Sequence, residues 1–277
     1  MRIAAIMTCH DRKQKTLACL DSLFKIAPEV DVYLTDDGCT DRTPEEVHTK
    51  YPKVNIIKGN GNLFWSRGMF TAWSEAIKGE YDYYLWLNDD IELYPNFMAE
   101  LMECNDIANK KAVIVGLIKD IKTGAILYGG TDATGKLVQE SETPQLINNM
   151  NGNVVLVPKC VVDEIGIIDP RYWHDIGDVD YGMTARKAGI FVLSTRKAVA
   201  DGYSNGKLIR IRKWGTTIGK RFRRLYSPLG ANPNIHFYFF KKHKGITQAI
   251  AMYLYLHIIN ILPDGVVKTI WGDKLVG

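Results

Sequence analysis

Apolar runs that stop abruptly on acids constrain this chain more than any other feature. "RIAAIMTC" (2–9) runs into His10 and Asp11, "VDVYLTDD" (30–37) ends on Asp36 and Asp37, and "DYYLWLN" (82–88) is followed by Asp89 and Asp90. Between them lie segments of helical spacing. These are "KTLACLDSLFKI" (15–26), "PEEVHTKY" (44–51), opened by Pro44, and "SRGMFTAWSEAIKG" (66–79), closed by Gly79. "VNIIKG" (54–59) reads as another strand. Strands apolar throughout, alternating with helices, indicate an α/β fold with a mostly parallel sheet covered on both faces. Ligands of such sheets sit beyond the carboxyl ends of the strands. Thr8, His10, Asp11, Asp36, Asp37, Asp89 and Asp90 therefore share one rim. Carboxylates pooled there repel one another unless a cation or a hydrogen-bonding ligand offsets the cost.

Beyond residue 110 the pattern is mixed. "AVIVGLIKD" (112–120) and "AILYGG" (125–130) read as strands, and "NGNVVLVPKCVVDEIG" (151–166) as a strand entering a short helix. "DVDYGMTARKAG" (178–189) reads as a helix and "IFVLST" (190–195) as a strand. A boundary near residue 205 separates a domain over 1–205 from a basic, mainly helical extension over 206–277. With 46% hydrophobic and 24% charged residues and no low-complexity tract, the composition is that of a soluble globular protein. Five cysteines with no C-x-x-C pair favour free thiols in a reducing compartment. The first apolar run is too short for a signal peptide, and no stretch reaches the roughly 20 apolar residues of a membrane span. These features together predict a cytoplasmic protein.

Several clusters can carry chemistry. Asp89 and Asp90 close a buried strand, where they can hold Mg²⁺ or Mn²⁺ together with substrate phosphates. The same "NDDIELYP" could instead start a helix, since Asn and Asp are good caps. In "LTDDGCTDRTPEE" (34–46), Asp–Gly makes a turn and Asp37 can accept a hydrogen bond from a nucleobase. "KGNGNLFWSRGMF" (58–70) places Trp65 and Arg67 before a helix, where an Arg and a helix N-terminus suit a diphosphate. G-x-x-x-x-G-K-[ST] is absent and no G-x-G-x-x-G follows the first strand, which removes support for nucleotide-triphosphatase and dinucleotide readings. In "PRYWHDIGDVDYGMTARKAG" (170–189), Asp178 and Asp180 point to different helix faces. Asp178 then caps the helix or faces a substrate, and Asp180 is a partner for backbone or Arg186. Trp65, His174 and Asp175 are further candidate site residues in these two segments.

The ordered set "IAAIMTCHDR…CLDSL", "VYLTDDGCTDRT", "NGNLFWSRG", "YLWLNDDIEL", "NGNVVLVPKCVVDEIGIID" and "GDVDYGMTARKAG" resembles glycosyltransferase family 2, inverting enzymes of the GT-A fold. The resemblance spans about residues 2–205. It implies that Asp37 reads the base, with Thr8 and Asp11 in the same nucleotide pocket and Arg67 against the nucleotide. It places Asn88-Asp89-Asp90 at the metal-binding D-x-D, Asp90 ligating Mn²⁺ or Mg²⁺ and Asp89 approaching the ribose. Asp178 matches the aspartate of the family's Glu–Asp pair, the general base. Three positions depart from the pattern. Gly177 stands where the Glu of that pair would be, Asp201 is nearest to the position of a metal-contacting His, and Asn88 replaces the first D-x-D acid.

The resemblance implies an inverting transfer of a sugar from a nucleoside-diphosphate donor to an acceptor hydroxyl, in bacterial cell-surface polysaccharide synthesis. Rival readings are a nucleotidyltransferase on a similar fold, disfavoured because "TCHDRKQKT" lacks glycine, and a nucleotide-sugar-binding protein without turnover. "KLIRIRKWGTTIGKRFRRL" (207–225) carries eight Lys or Arg, and "KKHK" (241–244) precedes a hydrophobic helix over 246–262. This basic segment is a solvated face, a loop closing on the diphosphate, or a contact with anionic lipid carrying a lipid-linked acceptor at the membrane surface. The helix packs on the core or forms a homodimer contact, and Trp214 and Trp271 suit an interface. A nucleic-acid partner is not expected, because only Trp214 and Phe222 stud the basic segment.

Overall fold

In the computed structural model, which describes residues 1–204, 206 and 209–272, the first apolar run forms β1 (Ile3–Cys9). Ile3, Ala5, Met7 and Cys9 enter one core layer, while Ala4 and Ile6 enter the other. That division follows from the two-residue period of a strand buried on both faces. Helix α1 (Lys13–Ile26) covers the first layer with Cys19, Leu20 and Leu23. There follow β2 (Asp31–Asp36), α2 (Thr43–Lys50) and β3 (Asn55–Lys58). Helix α3 (Phe64–Ala76) then fills the second layer with Met69, Ala72, Trp73 and Ala76, and leads into β4 (Tyr83–Leu87). Strand β1 pairs parallel with both β2 and β4, and β2 pairs parallel with β3. The acidic carboxyl ends of β1, β2 and β4 consequently lie along one sheet edge.

The chain continues through β5 (Ile91–Leu93), α4 (Phe97–Ile107), β6 (Val113–Asp120) and β7 (Ile126–Tyr128). After β8 (Gly130–Thr131) and β9 (Asn149–Met150) come β10 (Val154–Pro158), α5 (Lys159–Ile165), α6 (Gly177–Lys187) and β11 (Val192–Gly202). Among the described residues the main sheet runs β3-β2-β1-β4-β10-β6-β11-β5, with β7 beside β6. Strand β10 is antiparallel to β4 and β6, whereas β11 is parallel to β6. The result is the expected α/β architecture, a mostly parallel sheet between two helical layers, with one antiparallel strand at its centre.

Three local readings change. "NDDIELYP" does not begin a helix; it forms β5, which pairs antiparallel with β11. Strand β11 does not stop at 195 but extends to Gly202, because β6 offers it a partner as far as Asp120, through bulges between Ser194 and Ala200. Asp201 therefore sits within a strand, opposite Glu92. Helix α4 follows β5 and buries Phe97, Leu101 and Cys104 against the first layer.

The chain divides into two compact units, Met1–Pro170 with Gly177–Ser204, and Arg171–Ile176 with Asn205–Gly277. In the second unit four helices are described, of which sequence spacing placed only the one over 246–262. They are α7 (Ile218–Leu225), α8 (Pro233–His243), α9 (Ile246–Ile261) and α10 (Asp264–Trp271). Leu225, Ala231 and Leu256 form their small core. Buried Arg212 and Arg221 both donate to Asp264, Arg221 at 2.7 Å, so part of the basic segment is structural. Lys207 and Leu208 of that segment lie outside the described residues. No helix among the described residues is long and apolar enough to cross a membrane.

Candidate active site

The site builds from the carboxyl end of β4. Asn88 orients the first part of it. Its side-chain oxygen accepts from Trp65 Nε1 at 2.7 Å, and its amide nitrogen donates to Asn153 Oδ1 at 2.6 Å. Trp65 rests edge-on against Trp86, ring centroids 6.0 Å apart, so a rigid aromatic floor fixes the indole. With both ends of its amide engaged, Asn88 positions Trp65 and Asn153.

Asp89 and Asp90 are both buried. Burial pushes the Asp89 carboxyl up to about 6, against the pull of Arg12. Arg12, which precedes α1, places Nη1 3.0 Å from Asp90 Oδ2 and 3.3 Å from Asp89 Oδ1. Thr16 Oγ1 also donates to Asp89, at 3.2 Å, and Lys15 Nζ lies 3.9 Å from Asp90. A guanidinium thus neutralises the acid pair. Two carboxylates at a rigid strand end form a hard oxygen donor set, suited to a divalent cation that takes its other ligands from phosphate and water. Among the described residues, the clusters of three His, Cys, Asp or Glu ligand atoms lying within 4.8 Å of one another are Cys9–Asp36–Cys39 and Asp11–Cys39–Asp41, without Asp90 or Asp201. Asp201 accepts from the Tyr94 hydroxyl at 2.5 Å.

At the ends of β1 and β2, Asp37 accepts the backbone N–H groups of Gly61 (2.9 Å), Leu63 (2.9 Å) and Phe64 (2.9 Å). It therefore organises the loop that carries Trp65 and Arg67. Phe64 is held by this bond at φ 59°, a region that costs a bulky side chain about 1–3 kcal/mol. Gly38 stands at φ +71° where a Cβ would lie 2.8 Å from Gly61 Cα, so only glycine lets the two loops meet. Asp11 accepts from the Thr40 N–H at 2.6 Å, which holds its carboxyl below the usual range. Thr8 lies beneath α3, and Arg67 Nε donates to the Pro170 carbonyl at 3.0 Å.

Asp178 occupies the first turn of α6. Its Oδ2 accepts the Gly152 N–H at 3.0 Å, and Gly152 in turn packs so tightly on Trp65 that a Cβ would meet the ring at 2.5 Å. Asp178, Gly152, Trp65, Asn88 and the acid pair thus form one contiguous chain of contacts. A Cβ on Gly177 would lie 2.5 Å from Ser66 Oγ, so any larger residue at this position requires Ser66 to shift. Asp180 is buried in the same helix, whereas Arg186 donates to Asn148 at 2.6 Å. His174 and Asp175 belong to the second unit, where Asp175 pairs with Arg210.

Comparison with known proteins gives the reaction class. The family model described as "Glycosyl transferase family 2" matches residues 4–154. The chain belongs to glycosyl transferase family 2. This family 2 glycosyltransferase transfers a sugar from a nucleotide-sugar donor. An N-acetylglucosaminyl-diphospho-decaprenol L-rhamnosyltransferase of Mycobacterium tuberculosis is 24% identical to it over 217 residues, covering 64% of this chain and 69% of that one. S. aureus TarS 1–349 shares its fold with a TM-score of 0.56 at 13% identity, covering 93% of this chain and 72% of that one. So does the mannosyltransferase PcManGT from Pyrobaculum calidifontis, in complex with GDP-Man and Mn²⁺, with a TM-score of 0.55 at 13% identity and coverage of 94% and 70%.

Arg12, Gly152 and Asn153 were not singled out by sequence reasoning. Gly152 and Asn153 stand in the quoted "NGN", and Arg12 in "CHDRKQK", a basic run directly after an apolar strand. That charge placed beyond a strand end was the available signal.

Proposed function

We propose that this glycosyltransferase inverts the configuration of the transferred sugar, uses a divalent cation, and glycosylates a saccharide hydroxyl in cell-surface polysaccharide assembly. The observation that carries the reading is the linkage of Asp178, through Gly152 and Trp65, to the strand end bearing Asp89 and Asp90. Asp178 is the proposed base. Its carboxylate takes the proton of the acceptor hydroxyl while that oxygen bonds to the anomeric carbon, and the bond to the nucleoside diphosphate breaks. Attack from the face opposite the leaving group inverts the centre. The Gly152 N–H donates to Asp178 Oδ2 and the Val179 N–H to Oδ1, and together they orient the carboxylate for this transfer.

Asp90, with Asp89 beside it, would hold Mn²⁺ or Mg²⁺, which when bound neutralises charge on the departing diphosphate. Arg12 offsets part of the charge of the acid pair and would contribute positive charge next to the diphosphate. Asp37, Thr8, Asp11 and Arg67 are proposed to line the nucleotide pocket, and Trp65 to floor the donor sugar. Asp201 is proposed for structure through Tyr94. The relative from M. tuberculosis is named for a polyprenyl-diphosphate-linked acceptor, which supports a lipid-linked acceptor here.

Asp178→Asn tests the assignment. Turnover falls by about 10²–10⁴ while donor binding is retained, and nuclear magnetic resonance of the wild-type product shows the inverted anomer. Turnover within a few-fold of wild type, or a retained anomer, would refute the base. Full activity after chelation would remove the cation from the mechanism. Binding without turnover in the wild type would favour a non-catalytic nucleotide-sugar receptor, a reading to which Gly177 lends its one observation.

A further inference from the structure

Helix α9 turns its most apolar side outward. Ile246, Ile250, Leu254, Ile258 and Ile261 recur every three or four residues, and each is about half exposed. Such spacing aligns them in one stripe along the helix. The opposite side has Ala249, Leu256, Ile259 and Asn260 to bury. Val266 and Ile270 on α10, four residues apart, are exposed as well. Contiguous patches of this kind mark interaction surfaces on soluble proteins.

Charge decides what the stripe meets. Residues 205–277 contain thirteen Lys or Arg and two Asp, a net charge of +11, whereas residues 1–204 carry −7. Asp264 is already taken by Arg212 and Arg221. Lys213, Lys220, Arg223, Lys241 and Lys244 are exposed. Two copies meeting through α9 would bring two strongly cationic units together, which electrostatics opposes. An anionic lipid surface meets both requirements at once, headgroups for the lysines and the acyl boundary for the isoleucines. At 16 residues α9 is about 24 Å long, shorter than the roughly 30 Å hydrocarbon core, so it suits lying in the interface.

We infer that the exposed stripe of α9, with α10 and the surrounding lysines, docks this glycosyltransferase peripherally on an anionic membrane. The inference goes beyond the reaction proposed above and stands without it.

Sedimentation of the full chain with vesicles tests it. Binding is expected to vesicles of phosphatidylcholine containing about one third phosphatidylglycerol, to weaken in high salt, and to be poor with phosphatidylcholine alone. Combined Ile250→Ser, Leu254→Ser and Ile258→Ser changes should weaken binding at least about tenfold. Their exposure leaves the thermal melt and donor turnover on a water-soluble acceptor unchanged, so failure here is distinct from failure of the catalytic reading. Lys241→Glu with Lys244→Glu should weaken binding and lessen its salt dependence. No binding to anionic vesicles, or binding indifferent to the triple change, would overturn the inference. So would a wild-type dimer in sedimentation velocity that the triple change dissolves, which would assign the stripe to a second copy.

Discussion

Arg12 Nη1 lies 3.0 Å from the Asp90 carboxylate and 3.3 Å from that of Asp89, bridging two buried acids and offsetting their mutual repulsion. The guanidinium is itself 44% exposed and so can swing away without unpacking the core. A divalent cation binding at the pair must compete with it. Arg12→Met should therefore tighten Mn²⁺ binding in the absence of nucleotide by a few-fold, on the order of 1 kcal/mol for a partly exposed ion pair. Turnover should fall, because the diphosphate loses a positive neighbour. Isothermal titration with Mn²⁺ at pH 8 reads the first effect, and Asp90→Asn supplies the control that abolishes binding. Unchanged or weaker Mn²⁺ affinity in the Met variant would exclude competition at Asp90.

Gly177 and Ser66 form a second coupled pair. Ser66 Oγ is buried with no hydrogen-bond partner among the described residues, and it faces Gly177 closely enough that an added Cβ would lie 2.5 Å away. Gly177→Ala should cost about 1–3 kcal/mol through overpacking. Ser66→Ala should be near neutral, since it removes an unsatisfied polar atom rather than a bond. Ser66→Gly removes both close atoms, so the Ser66→Gly/Gly177→Ala double variant should recover part of the loss, with a coupling of about 0.5–3 kcal/mol in urea denaturation. Strict additivity would show that the first turn of α6 does not rest on α3 at this point.

The strands bearing the acids were legible because each is apolar on both faces and ends on charge, two signals local to a few residues. Arg12 carries the same kind of local signal, yet its partners lie 77 and 78 residues away, and no periodicity links them. Asn88 likewise reads as a truncated metal ligand until Trp65 and Asn153 are seen to hold its amide. The end of β11 was misread for a different reason: strand length is set by the partner, and β6 runs on to Asp120. In α9 the hydrophobic helix was evident, but with both faces apolar, spacing alone could not say which one packs.

Glu100 ties α4 to β11. Its carboxylate accepts Arg196 Nη2 at 2.7 Å, Arg196 Nε at 3.1 Å and the Arg196 backbone N–H at 2.7 Å. Burial pushes the carboxyl up, but the bonds from Arg196 and Cys104 outweigh it and hold Glu100 below its ordinary value of 4.5. Because the folded-state value is the lower one, the unfolded chain binds the proton more readily. The stabilisation is therefore complete above about pH 5 and is lost as the pH falls through the native value. Glu100→Gln should cost about 1–3 kcal/mol at pH 7, a range reduced for the partial exposure of Arg196. Urea melts of wild type and variant should converge as the pH is lowered from 6 towards 3.5, in proportion to protonation of the wild-type carboxyl. A gap that stays constant across that range would mean that the glutamate acts through packing alone and that its charge contributes nothing to holding α4 on the sheet.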